Sequence, residues 1–227
     1  KVLDRLTPYS VKAKTFDILL GQPRPHRDLI YDYITNNNLI HQVLMTYISH
    51  ENRITANTNN TGWIWEDQGL EVLDNDLQWT VSQVKYYGQQ MSLSQVVPIQ
   101  VYNQTAYSLV AETNFDNNYV FFTEKTVKPI LARRLFILLS HRYALARLRE
   151  LGFKTFGDII DESYDEIEAP IFRHQAALEQ MKWLCEQDQQ SILDRVQEIT
   201  EHNFNVMYGT NWYERFSTPL TNVLFNR

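Results

Sequence analysis

The sequence predicts an α/β protein in which a parallel sheet is flanked by helices. Three stretches carry that prediction. LFILLS at 135–140 is apolar without alternation, as a strand buried on both faces requires. In SLVAET at 108–113, Leu109, Val110 and Ala111 run straight into Glu112 and Thr113. FDILLG at 16–21 has the same character and is followed by a polar turn. Polar groups thus collect where strands end, and in an open parallel sheet ligands sit in the crevice outside those carboxyl ends.

The segment after the first strand, QPRPHRDLIYDYITNNNLI, reads as a turn and a helix. Pro25 suits a first helical turn, Leu29, Ile30, Tyr33 and Ile34 share one face, and the asparagines at 36–38 end the helix. Arg24, His26 and Arg27 therefore gather at a helix N-terminus beyond a strand end, where cations are unfavourable unless an anion joins them. A solvated basic turn is the plainer alternative.

From about residue 50 to 97 the chain is rich in Asn and Thr and poor in helix formers, which predicts a loop-rich insertion. Trp63, Trp65 and Trp79, with Tyr86 and Tyr87, are expected as core fillers there, with sugar platforms as the alternative. Asp74-Asn75-Asp76 matches the Asp-x-Asp pattern that can hold a divalent cation. No apolar strand leads into it, however, and such residues commonly form turns, so no metal site is expected.

The second helix of the motif begins at Thr123, an N-cap candidate, with Glu124 and Lys125 in the first turn. Glutamate suits that end of the dipole, whereas Lys125 there hints at an anionic partner. Pro129 is expected to kink this helix or to mark a later start. After residue 161 the chain turns helical, with Phe172, Ala176, Leu178, Met181 and Leu184 and then Ile192, Val196, Ile199 and Phe204 at helical spacing, the second set capped by Asp188. His174 and His202 are expected to be solvated rather than metal ligands, because no Cys or carboxylate partner repeats at metal spacing. The expected organisation is one sheet-based domain over 1–170 and packing helices over 171–227.

Composition agrees. With 227 residues, 44% hydrophobic and 13% aromatic, the chain can bury a sizeable core. A net charge of −6 argues against a general nucleic-acid surface while leaving room for a local basic pocket. There is no run of 18 apolar residues, so no membrane span is expected. The single cysteine, Cys185, excludes an intrachain disulfide and makes the cytoplasm the default location. The opening Lys-Val-Leu-Asp suggests that upstream residues are missing. Neither Gly-x-Gly-x-x-Gly nor a P-loop occurs, which argues against a dinucleotide dehydrogenase or a kinase.

Ala-Glu-Thr-Asn at 111–114, Tyr119, Thr-Glu-Lys at 123–125 and Leu-Phe-Ile-Leu-Leu at 135–139 follow in an order that resembles the donor-binding region of α1,3-fucosyltransferases. Glu-Lys-Thr-Val-Lys-Pro at 124–129, Leu-Gly-Phe-Lys-Thr-Phe at 151–156 and Asp-Glu-Ser-Tyr-Asp at 161–165 are similar to glycosyltransferase-like proteins of bacteria and phages. The resemblance spans roughly residues 16–170. It implies a Rossmann-like sheet akin to the C-terminal, donor-binding lobe of a GT-B glycosyltransferase, with a helical C-terminal segment. The expected function is glycosyl transfer from a nucleoside diphosphate sugar to a carbohydrate or other hydroxyl-bearing acceptor, without a metal or a further cofactor. On that resemblance Arg24, Arg27, Tyr119, Thr123, Glu124 and Lys125 bind the nucleotide sugar, Glu124 through the ribose hydroxyls.

Glu112 is the catalytic candidate, a carboxylate that would favour positive charge on the sugar and could guide an inverting attack. A structural carboxylate fixing the 114–119 loop is its alternative. The chain departs from the pattern after the leucine strand, where Ser140, His141, Arg142 and Tyr143 replace a glycine-rich turn. Either His141 and Arg142 contact the donor by side chain, or the site is degraded. A non-catalytic binding or structural protein of phage origin that retains the fold is the competing expectation.

Overall fold

The computed structural model describes residues 3–21, 24–47, 70–72, 83–86, 89–92, 95–114, 116, 119 and 121–217. Four strands, β1 (Lys14–Leu19), β2 (Val43–Thr46), β6 (Thr105–Ala111) and β7 (Phe136–Leu139), form a sheet in the order β2-β1-β6-β7 with every pair parallel. Phe16 pairs with both Val43 and Tyr107, and Ala111 pairs with Leu139. The four-strand parallel sheet flanked by helices is Rossmann-like, as the apolar strands predict. All seven residues of β6 are buried, the condition that removes alternation from its sequence.

Helix α1 (Pro25–Asn36) links β1 to β2, and α3 (Glu124–Leu131) links β6 to β7. These crossovers leave in opposite directions, because β2 lies on one side of the β1–β6 pair and β7 on the other. Right-handed connections then place α1 and α3 on opposite faces of the sheet. Contacts agree: α3 packs on α6 (Gln189–Gly209), whereas α1 meets α5 (Pro170–Cys185) through Lys182 Nζ to Asn37 Oδ1 at 3.0 Å. The crossovers through α1 and α3 diverge at the gap between the carboxyl ends of β1 and β6. That gap is the topological switch point of the sheet, the place where such folds bind ligands.

The core fills both faces. Phe16, Ile18, Ile30, Ile34, Tyr107 and Ile137 are fully buried, and the rings of Phe16 and Tyr107 meet edge-on at 5.4 Å. Helix α2 (Ile99–Gln104) leads into β6, and α4 (Ala144–Glu150) follows β7. The caps expected from sequence form: Thr123 accepts from the Lys125 N–H at 3.2 Å and Asp188 from the Ser191 N–H at 2.8 Å.

Within the loop-rich insertion expected at about 50–97, β3 (Leu70–Val72), β4 (Gln83–Tyr86) and β5 (Gln89–Ser92) form an antiparallel sheet. Two expectations need correction. Helix α3 does not start at Pro129; it begins at Glu124, runs through the proline and ends at Leu131, so the missing N–H falls in the closing turn. His174 is not solvated but 3% exposed, because it lies on the face by which α5 covers the sheet.

Candidate functional site at the switch point

Helix α1 opens with Arg24 in an extended N-cap conformation and Pro25 at its first position. Arg24 is exposed, and the next two side chains, His26 and Arg27, turn inward and are buried. Burial, then the charges of Arg27 and Arg24, push the His26 imidazole down to about 4, so it is neutral at physiological pH. Burial and Arg24 likewise hold Arg27 down to about 10, while Glu112 pulls the other way. Arg27 and Glu112 therefore share one electrostatic neighbourhood, across the gap between β1 and β6. Asp28, the acid of this first turn, accepts from the Tyr47 hydroxyl beyond the end of β2.

Glu112 follows directly on β6 and its backbone N–H still bonds Leu139 at 3.0 Å. Its carboxylate is 1% exposed and is engaged by the start of α3. The Thr123 N–H donates to Oε1 at 2.9 Å, the Thr123 hydroxyl to Oε2 at 2.7 Å and the Thr126 hydroxyl to Oε1 at 2.6 Å. A side-chain carboxylate thus fills the N-terminus of α3, where orphan N–H groups and the helix dipole favour an anion. Of the two roles open to Glu112, the geometry displays the structural one, with α3 itself as the element it fixes.

Lys125 is half-buried beside this clasp. Its Nζ donates to Thr123 Oγ1 at 3.3 Å and to Glu124 Oε1 at 3.2 Å. The Glu124 carboxylate is penalised by burial, yet Lys125 beside it holds the group below its ordinary range. This ion pair explains how a lysine is tolerated in the first turn of α3. Lys128, one turn on, is pushed down to about 8, chiefly by burial, with Glu124 opposing and Lys125 reinforcing the shift.

A third helix N-terminus, that of α5, brings in His174 and Arg173. The His174 and His26 rings lie edge-on at 6.5 Å, and Arg173 Nε donates to the Ser140 carbonyl at 2.9 Å just beyond β7. Burial, then Arg173, depress His174 to about 3. Sequence reading missed Arg173 and misplaced His174 as solvated; Pro170 at the first position of α5 was the available signal, since it fixes which turn faces the strand ends.

The turn after β7 does without glycine by placing Tyr143 in the left-handed region, with φ of 64°. Tyr143 N–H bonds the Asp165 carbonyl at 2.8 Å, and the Asp165 carboxylate caps α4 by accepting from Leu145 and Ala146 at 2.9 and 3.0 Å. Arg142 Nε donates to the Glu166 carbonyl at 2.7 Å. His141 is buried and donates through Nδ1 to the Arg142 carbonyl at 2.6 Å.

Of the residues expected to bind a nucleotide sugar, Arg24 and Arg27 lie at the start of α1, and Thr123, Glu124 and Lys125 at the start of α3, with Glu112 between the two. Tyr119 is 77% exposed in the connection from β6 to α3. Asp74, Asp76, Trp63, Trp65, Trp79 and Tyr87 lie outside the described residues. Among the described residues, no group of three His, Cys, Asp or Glu side chains could hold a metal ion, and no helix is long and apolar enough to cross a membrane.

Fold and site together define a Rossmann-like α/β protein with basic residues at the two helix starts that flank its switch point. Comparison with protein-family models, curated proteins and solved structures finds no match for the chain.

Proposed function

We propose that the protein is a glycosyltransferase that takes a nucleoside diphosphate sugar as donor and works without a metal ion. One observation carries the reading: α1 and α3, which flank the switch point, bring Arg24, Arg27 and Lys125 toward it from strands that are neighbours in the sheet. The diphosphate is assigned to the α1 side, since Glu112 already fills the N-terminus of α3. Arg27 offers a guanidinium fork and Lys125 a point charge. As the bond from sugar to phosphate breaks, charge grows on the leaving oxygens, and these cations stabilise it more than they stabilise the bound donor. Glu124, already turned to Lys125, is assigned to the ribose hydroxyls, and exposed Tyr119 to the outer wall of the donor site.

Commitment of the Glu112 carboxylate to Thr123 and Thr126 favours a second reading, a non-catalytic protein that binds the same nucleotide. Thermal shift with UDP, GDP, dTDP and CMP and their sugars, followed by assay of donor turnover, separates these outcomes. Stabilisation with turnover is expected, and stabilisation without turnover would favour the binding protein. R27A is expected to weaken the responding nucleotide roughly 10- to 100-fold, the loss of one charge-assisted contact. If no nucleotide shifts the melting temperature, the transferase reading fails.

A further inference from the structure

We infer that Thr123, backed by Glu112, is a positioning residue that holds the Lys125 ammonium ready for an anionic oxygen. The inference rests on the nucleotide-sugar reading for the identity of the ligand, and on hydrogen-bond counting for the mechanism. A threonine hydroxyl has one proton to give and two lone pairs to receive with. The Glu112 carboxylate can only accept, so the 2.7 Å contact takes the Thr123 proton. Both lone pairs of Oγ1 must then face donors, and the two that reach it both belong to Lys125, the backbone N–H at 3.2 Å and Nζ at 3.3 Å. The hydroxyl is filled, and the direction of the chain is fixed from Lys125 through Thr123 to Glu112.

The same count applied to the ammonium leaves something over. Of its three N–H bonds, one goes to Thr123 and one to Glu124 Oε1 at 3.2 Å. Among the described residues, no acceptor meets the third. A lysine ordinarily carries its charge on a flexible four-carbon stem, and ordering that stem costs conformational entropy on binding. Here that ordering is done by the fold before a ligand arrives, which is how preorganisation raises affinity. Thr126 is the internal control. It grips the same carboxylate at 2.6 Å, but its hydroxyl makes no hydrogen bond with the Lys125 ammonium.

A double-mutant cycle on Thr123 and Lys125 tests this, reading the dissociation constants of UDP and GDP by calorimetry. K125M is expected to weaken the nucleotide that binds by roughly tenfold, as for one charge-assisted bond. T123V is expected to weaken it several-fold when Lys125 is present and not at all in the K125M background, because residues acting through one contact are not additive. T123S should restore binding. T126V should lower the melting temperature and leave the dissociation constant within about twofold of the original. Equal T123V effects in both backgrounds would overturn the positioning role while leaving the nucleotide reading intact. Failure of the unsubstituted protein to bind either diphosphate, or any other nucleotide, would remove both. A crystal structure of the unsubstituted protein with the bound diphosphate gives an arm that does not depend on variants folding. Lys125 Nζ is expected to bond Thr123 Oγ1 and a phosphate oxygen together, and an ammonium that leaves Thr123 or points away from the phosphates would refute the inference.

Discussion

Arg134 Nη2 meets Asp17 Oδ1 at 2.9 Å in the interior, on the face of β1 opposite Phe16. The pair joins the exit of α3 to the start of the sheet. Arg134 also donates to Ser108 Oγ, the carbonyls of Tyr102, Thr105 and Tyr107, and Thr105 Oγ1, all between 2.8 and 3.0 Å, and stacks over the Tyr102 ring at 4.4 Å. Asp17 in turn accepts from Ser108 at 2.8 Å. A buried ion pair is worth little against an apolar isostere, but half of one is costly. D17A should therefore destabilise the protein by roughly 3–5 kcal/mol in urea titrations, because it strands a guanidinium. R134K should not be tolerated either, since three ammonium donors cannot replace a rigid fork of five. A D17A loss below about 1 kcal/mol would mean that water reaches the pair.

Stability should fall as pH drops, and His26 and His174 set the window. Both titrate lower in the folded protein than the ordinary 6.5, His26 at about 4 and His174 at about 3. Between these values and 6.5 the unfolded chain binds protons that the native state refuses, so acid favours unfolding there. The contribution is complete above pH 6.5, erodes as pH falls toward 4, and for His174 continues to erode toward 3. Burial, Arg27 and Arg24 oppose protonation of His26, with Asp116 its counter-charge, and burial, Arg173 and His26 oppose that of His174. Unfolding free energies measured from pH 7 to 4 should decline more gently in H174Q than in the unsubstituted chain. Identical slopes would place the acid sensitivity elsewhere.

The frame was legible where local rules decide it. Strands β1, β6 and β7 announce themselves as apolar runs because neighbours cover both their faces. Helix α1 carries its proline start and buries Ile30 and Ile34 as expected, though Leu29 of the expected stripe is exposed, and α3 and α6 carry their own caps at Thr123 and Asp188. Strand β2 was not legible, since Val43–Thr46 is only four residues long and identical in character to a buried piece of helix. The basic residues at 24–27 and the start of α3 could be placed at strand ends from sequence, and so near one crevice. What occupies the Glu112 carboxylate could not, because its partners lie 11 and 14 residues away across a loop. Arg134 and Asp17 are 117 residues apart, and nothing local to either signals the other.

Cys185 should behave as an inert thiol. Burial, then the charge of Glu186, push it up to about 12, so almost none is thiolate near pH 8. Reaction of the native protein with a disulfide reagent at pH 8 is expected to be at least roughly 100-fold slower than in urea. Prompt modification of the folded protein would show that the end of α5 opens readily to solvent.

His141 presents the opposite problem, a polar group whose removal should help the fold. Its Nδ1 proton is given to the Arg142 carbonyl, which leaves Nε2 as an acceptor, and among the described residues no donor meets that buried atom. The Ser140 hydroxyl beside it is in the same state. An unmet buried acceptor costs roughly 1–3 kcal/mol, whereas an apolar side chain of similar shape carries no such penalty. Phenylalanine matches the ring, and the Arg142 carbonyl it would orphan lies in a turn whose side chain is itself partly exposed, so water can replace the lost donor. H141F should accordingly raise the melting temperature by about 2–4 °C, the shift expected for 1 kcal/mol in a chain of this size. Calorimetry of H141F beside H141N decides the matter, because asparagine keeps a polar group in the same pocket and should give no gain. A lower melting temperature for H141F would mean that an ordered water satisfies Nε2, and that the turn after β7 depends on the imidazole for its hold on Tyr143.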